Sequence, residues 1–158
     1  MNLKPKSQYI NHLVLADDDR DLGILFERVL KQIDPIKSFT SINDGESLLA
    51  YLSDHTPDLL FLDLNMPCKN GLECLTEIRK EPRLSNLPII VYSSSTNMVD
   101  IHRSYIHKAD LYMVKPFNTE HLKNALQSIL NMKWREDNSN QKFYFINNRF
   151  VPFTAHSV

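Results

Sequence analysis

At 158 residues the chain can bury one substantial core and is short for two. Apolar residues make up 42% and charged residues 23%, the balance of an ordinary globular protein. A net charge of −1 supplies no bulk field to attract nucleic acid or an anionic membrane.

No run approaches the roughly 20 apolar residues that span a bilayer. The opening Met1-Asn2-Leu3-Lys4-Pro5-Lys6-Ser7-Gln8 lacks the apolar centre of a signal peptide, so residues 1–8 read as a tail and the expected location is cytoplasmic. Function must rest on local charge.

The first strand is expected at His12–Ala16 and runs into Asp17-Asp18-Asp19. A helix follows with Leu22, Leu25, Phe26, Val29, Leu30 and Ile33 on one face, and Asp19 is its simplest N-cap. A strand at Lys37–Ile42 leads to a helix over Asp44–His55, with Leu48, Leu49 and Leu52 inward. Leu59-Leu60-Phe61-Leu62 then places four bulky apolar residues in a row, which suits a strand buried on both faces. Asp63 ends that run and is followed by Leu64-Asn65-Met66-Pro67. The third helix carries Leu72, Leu75 and Ile78 and stops before Pro82. A strand at Ile89–Tyr92, a weakly amphipathic helix over Met98–Lys108 and a strand at Leu111–Val114 come next, the last entering Lys115-Pro116. The fifth helix starts near Asn118 and repeats through Leu122, Ala125, Leu126, Ile129 and Leu130.

Five β-α pairs in succession argue for a single α/β domain over residues 9–133, a doubly wound parallel sheet with helices on both faces. The extension at 134–158 differs. Arg135-Glu136-Asp137-Asn138-Ser139-Asn140-Gln141 reads as a polar linker, yet six of the chain's fifteen aromatic residues lie beyond residue 133. A disordered tail is normally poor in aromatics. Part of Lys142–Phe153 is therefore expected to be strand-like and packed on this domain or on a second copy. The segment is too short, and too poor in positive charge, for a DNA-binding domain. Cys68 and Cys74, with no histidine pair spaced to join them, read as free thiols.

The informative pattern lies at the strand ends. Asp17 and Asp18, Asp63, and Lys115 each follow an apolar strand, and parallel topology would bring those ends to one crevice. Acids gathered around a divalent cation, with a lysine beside them, suit phosphoryl transfer.

Four stretches carry a specific resemblance: Leu15-Ala16-Asp17-Asp18-Asp19, Leu62-Asp63-Leu64-Asn65-Met66-Pro67, Ile90-Val91-Tyr92-Ser93-Ser94 and Tyr112-Met113-Val114-Lys115-Pro116-Phe117. In order and spacing they resemble the signature stretches of the receiver domain of two-component response regulators, of the single-domain, chemotaxis-regulator-like type. The resemblance spans about residues 10–132. It implies a flavodoxin-like five-stranded sheet of order 2-1-3-4-5 with five helices. It also implies a residue for each role. Asp63 would be the phosphoryl acceptor. Asp17, Asp18 and the backbone carbonyl of Asn65 would join Asp63 in holding Mg²⁺. Ser93 would contact the phosphoryl group, Lys115 would pair with Asp63 or its phosphoryl oxygens, and Tyr112 would be the switch aromatic. A cis Lys115–Pro116 bond is implied as well. Asn65 and Ser95 occupy the positions that tune loss of the phosphoryl group. Lys108 stands where the family usually has glycine.

The function so implied is acceptance of a phosphoryl group from a sensor histidine kinase or phosphotransfer protein. The output would be phosphorylation-dependent binding of an unidentified protein, because no effector segment follows. Nucleic acid and membrane are not expected partners; a homodimer through the fourth-helix to fifth-helix face or the aromatic tail is left open. Beyond self-catalysed phosphoryl transfer and autodephosphorylation, no enzyme activity is expected. Two alternatives remain. An aspartyl-phosphate phosphatase commonly places an acid two residues after its nucleophile, where this chain has Asn65. A non-phosphorylated scaffold would have no use for an intact Asp17, Asp18, Asp63, Ser93 and Lys115 set.

Overall fold

Backbone hydrogen bonding gathers β1 (His12–Ala16), β2 (Ser38–Ile42), β3 (Leu59–Leu62), β4 (Ile89–Ser93) and β5 (Leu111–Val114) into a parallel sheet of order β2-β1-β3-β4-β5. The computed structural model describes residues 9–134 and 142–154. The expectations for residues 1–8 and for the linker at 135–141 lie outside the described residues.

Alternation along each strand explains why β3, β4 and β5 are wholly buried. Leu60, Leu62, Val91, Tyr112 and Val114 enter one core, while Leu59, Phe61, Tyr92, Leu111 and Met113 enter the other. The first core lies beneath α2 (Gly45–Asp54), α3 (Gly71–Lys80) and α4 (Met98–Ile106). The second lies beneath α1 (Arg20–Ile33) and α5 (Thr119–Leu130) and centres on Phe26, whose ring packs edge-on to Phe61 and Tyr92.

Local chemistry sets where the helices begin. Asp19, Asp44, Asn70, Asn97 and Asn118 cap the five helices in turn, each side chain accepting a backbone N–H of the first turn. The expected cap at Asp19 is among them. β2 starts at Ser38, one residue late, because Lys37 closes the preceding turn by donating to the Ile10 carbonyl at 2.5 Å and pairing with Asp34 at 3.4 Å.

α4 ends at Ile106, two residues short of expectation. Lys108 adopts φ 69°, the left-handed conformation that terminates a helix and that glycine usually supplies. Arg79 fixes this corner. It donates to the carbonyls of Lys108 and Leu87 and pairs with Asp110 at 2.9 Å, while Asp110 also accepts the Ile89 amide. Among the described residues no helix is long and apolar enough to cross a membrane.

Two features depart from expectation. No peptide bond among the described residues is cis, so Lys115–Pro116 is trans, the lower-energy state of an X–Pro bond. The sheet also has seven strands rather than five. β6 (Lys142–Ile146) joins β5 in parallel, with Tyr112 opposite Tyr144 and Met113 opposite Phe145, and β7 (Arg149–Phe153) pairs back antiparallel. Asn147 and Asn148 turn the hairpin at φ 49° and 63°, as a two-residue turn of matching twist requires. Phe145 is buried in the α5-side core, and Tyr144, Ile146 and Phe153 pack on the α4-side core. The aromatic extension thus packs on this domain, which was one of its two expected partners. Pro152, facing Phe143 from the outer strand, removes a donor from the sheet's new edge.

Candidate functional site

The carboxyl ends of β1, β3 and β5 bring Asp17, Asp63 and Lys115 together, and β4 ends on Ser93 between β3 and β5. Strand pairing fixes the backbone under these residues. The Asp63 amide donates to the Ala16 carbonyl at 2.9 Å, the Asp17 amide to Ile42 at 2.9 Å, and the Lys115 amide to Ser93 at 2.8 Å. Asp17 and Asp63 are only 1% and 4% exposed, whereas Asp18 is exposed. One carboxylate oxygen from each of the three lies within 4.8 Å of the other two.

Each oxygen has a distinct environment. Asp17 Oδ1 accepts the Asp19 amide at 2.9 Å. The Lys115 ammonium lies 2.7 Å from the buried Asp17 Oδ2, off the line of a hydrogen bond, and that oxygen accepts no hydrogen bond among the described residues. The same ammonium is 3.6 Å from Asp63 Oδ2, and Asp63 Oδ1 accepts the Asn65 amide at 3.4 Å. Lys115 also lies 5.5 Å from the centre of the Tyr92 ring.

Burial pushes the Asp63 carboxyl up to about 6, and the neighbouring Asp17 charge pushes the same way; Lys115 and the Asn65 amide oppose them. One lysine does not balance three carboxylates. The surplus negative charge and the all-oxygen donor set fit a hard divalent cation such as Mg²⁺ or Mn²⁺.

The expected sensing residues are linked by hydrogen bonds. Ser93 is 1% exposed, and its Oγ accepts the Ser95 amide at 3.2 Å. Tyr112 is fully buried, and its hydroxyl donates to the Ser95 carbonyl at 2.8 Å, so the ring is turned inward. The Ser95 hydroxyl donates to Asp100 at 2.5 Å and ties the β4–α4 loop to the first turn of α4.

Three contributors are not among the residues expected from the strand-end pattern. Gly71 starts α3 against the back of the loop that follows β3. Its amide donates to the Leu64 carbonyl at 2.9 Å, and a Cβ there would lie 2.1 Å from the Asp63 carbonyl oxygen. Gly45 makes a similar close approach to the Lys69 carbonyl. The chain has only three glycines, and two of them, Gly45 and Gly71, are the first residue of a helix, which is the one sequence signal that could have marked them. The third, Tyr105, lies on α4 facing β5 outside the acid cluster, and its position gave no sequence signal.

A family model described as the response regulator receiver domain matches residues 13–127. The response regulator Rcp1 of Synechocystis sp. is 31% identical over 124 residues, covering 74% of this chain and 84% of that protein. The transcriptional regulatory protein MalR of Bacillus subtilis is 35% identical over 115 residues, covering 73% of this chain but only 48% of MalR, so the match spans about half of that relative's length. Among solved structures, the phosphorylated cyanobacterial phytochrome response regulator RcpA superposes with a TM-score of 0.70 at 31% identity, covering 75% of this chain and 90% of RcpA. The Mn²⁺-bound form of Rcp1 superposes with a TM-score of 0.69 at 28% identity, covering 80% and 96%.

Proposed function

Because the chain belongs to the response regulator receiver domain family, we propose that Asp63 accepts a phosphoryl group from a sensor histidine kinase or phosphotransfer protein and carries it as a reversible signal. The observation that carries this reading is the buried Asp17, Asp63 and Lys115 cluster at the strand ends, with the Asp63 carboxylate held between an ammonium and a backbone amide.

In the proposed transfer an Asp63 oxygen forms a bond to phosphorus while the donor's phosphorus–nitrogen bond breaks, and the imidazole leaves with the electron pair. Only the ionised carboxylate has that lone pair available. Lys115 opposes the rise in the Asp63 pKa and places a positive charge beside the phosphoryl oxygens. Asp17, Asp18, Asp63 and the Asn65 carbonyl would hold Mg²⁺, which neutralises the mutual repulsion of the anions.

The Ser93 hydroxyl would donate to the new phosphoryl oxygens and draw the β4–α4 loop toward Asp63, and Tyr112 would follow through its bond to Ser95. The output is then a change of protein-binding surface around α4 and β5, favoured over nucleic-acid binding by the net charge of −1. The test is incubation of the purified chain with Mg²⁺ and a small acyl phosphate, followed by intact mass. One added phosphoryl group on the wild type, absent from Asp63→Asn and from samples with chelator, is expected. An adduct that persists in Asp63→Asn would overturn the assignment.

A further inference from the structure

The β5 edge is not bare. The C-terminal hairpin occupies it, and the seam between them contains an unusual bridge. At the first paired residue of β5, the Tyr112 amide donates to the Tyr105 hydroxyl at 3.1 Å. That hydroxyl donates in turn to the Phe143 carbonyl of β6. One side-chain oxygen from α4 is thus inserted where a strand-to-strand hydrogen bond would otherwise run. The Tyr105 ring also packs against Phe153 of β7, with centroids 5.2 Å apart. Burial pushes the Tyr105 phenol up, so it stays a neutral hydroxyl able to donate and accept at once.

The other end of Tyr112 points to the acceptor site. Its hydroxyl holds the Ser95 carbonyl, and the Ser95 amide holds Ser93 Oγ. An unbroken line therefore runs from Ser93 through Ser95, Tyr112 and Tyr105 to Phe143. The hairpin turn lies near the same rim, where Asn147 and Asn148 share a small cleft with Lys115, Pro116 and Phe117.

We propose that residues 142–153 form a built-in output element whose docking on β5 and α4 is tightened by charge on Asp63, with the Tyr105 hydroxyl as the coupling group. The inference rests on Asp63 being the phosphoryl acceptor. The direction follows from geometry. The inward Tyr112 that a loop drawn toward Asp63 would favour is the same Tyr112 whose amide anchors the hairpin through Tyr105. Stabilising that placement stabilises the dock, and by reciprocity the docked hairpin stabilises the charged state of the site. The surface offered to a partner would then be the α5-side face of the hairpin, where Phe143 and Phe150 stay part-exposed beside Phe145, rather than the bare edge of β5.

The test uses the full chain with Mg²⁺ and a small acyl phosphate. Amide hydrogen exchange in peptides covering 142–153 is followed alongside intact mass of the same samples, with β1 and β3 amides as the fold control. In wild type we expect hairpin exchange to slow by about tenfold when the adduct is present, since docking governs local opening. In Tyr105→Phe, which keeps the ring and removes the hydroxyl, the adduct still forms. Hairpin exchange then becomes faster and no longer responds. Full adduct on wild type with a hairpin change under about twofold would overturn the coupling. Unchanged hairpin exchange in Tyr105→Phe without phosphodonor would overturn the bridge by itself. Absence of any adduct on wild type would strike the Asp63 assignment instead, leaving that second arm to decide the bridge.

Discussion

The strand-end site and the hairpin seam are built on opposite principles. At the strand ends, like charges are forced together: Asp17 and Asp63 are buried side by side, one carboxylate oxygen has no hydrogen bond, and Lys115 is shared between them. At the seam, apolar rings and neutral hydrogen bonds satisfy one another, with Phe145 in the core and Tyr105 bridging two backbones. The first region is costly until a positive charge arrives. The second is stable as it stands. A signal device needs both, a site whose energy changes sharply with charge and a dock that shifts by a small amount.

The sharpest way to break the site without touching a charge is Gly71→Ala. A Cβ 2.1 Å from the Asp63 carbonyl oxygen must displace α3 or the acceptor loop. Destabilisation of roughly 2–4 kcal/mol is expected, read as a fall in Tm, with strongly slowed adduct formation. Wild-type adduct rates in this variant would show that the loop geometry does not matter.

On the hairpin side, Phe145→Ala removes the one hairpin side chain buried in the α5-side core. A local loss of about 2–4 kcal/mol is expected. It should appear as fast exchange and protease sensitivity over 142–153, while the acid cluster remains intact and still takes up the phosphoryl group. Global unfolding by this change would contradict the separation of the two regions.

The two regions should also differ in pH response. The folded Asp63 carboxyl keeps its proton to about pH 6, higher than the ordinary 3.8 it has when unfolded. The fold therefore favours the neutral form. Without divalent cation, stability should fall as pH rises from about 4 to 6 and stay low above that. Asp63→Asn should abolish this dependence and be roughly 1–2 kcal/mol more stable at pH 7.5, after discounting for solvent and Lys115. Mg²⁺ should stabilise the wild type far more than the variant. Denaturant melts at pH 4.5 and 7.5, with and without Mg²⁺, check all three.

The smallest effect concerns neither region directly. Lys108→Gly relieves a non-glycine residue at φ 69° and should stabilise by about 0.5–1 kcal/mol with adduct formation unchanged.

Legibility in the sequence divides along the same line as the physics. The core fold could be read because strand apolarity, helix period and Asp or Asn caps act locally; Asp19 and the bounds of β1, β3 and β5 follow from a few adjacent residues. The acids and lysine could be read because each directly follows an apolar run. Gly71 could not, since its need for space comes from the Asp63 carbonyl, eight residues earlier and brought close by the loop. Tyr105 could not either: on α4 it looks like one more residue of a weak apolar face, and its bridge exists only because β6 arrives from far along the chain. The hairpin itself was partly visible. Asn147-Asn148 between Phe143-Tyr144-Phe145-Ile146 and Arg149-Phe150-Val151 has the form of a two-residue turn, and the aromatic content marked the segment as packed without giving its partner strand.

The most direct test of the central claim is chemical localisation of the phosphoryl group. Treating the Mg²⁺ and acyl-phosphate product with borohydride reduces an aspartyl phosphate to homoserine, which peptide sequencing by mass spectrometry can place. Homoserine at position 63, formed only when Mg²⁺ and donor are both present, is the expected result. Homoserine at Asp17, Asp18 or any other acid, with none at 63, would contradict the role given to Asp63.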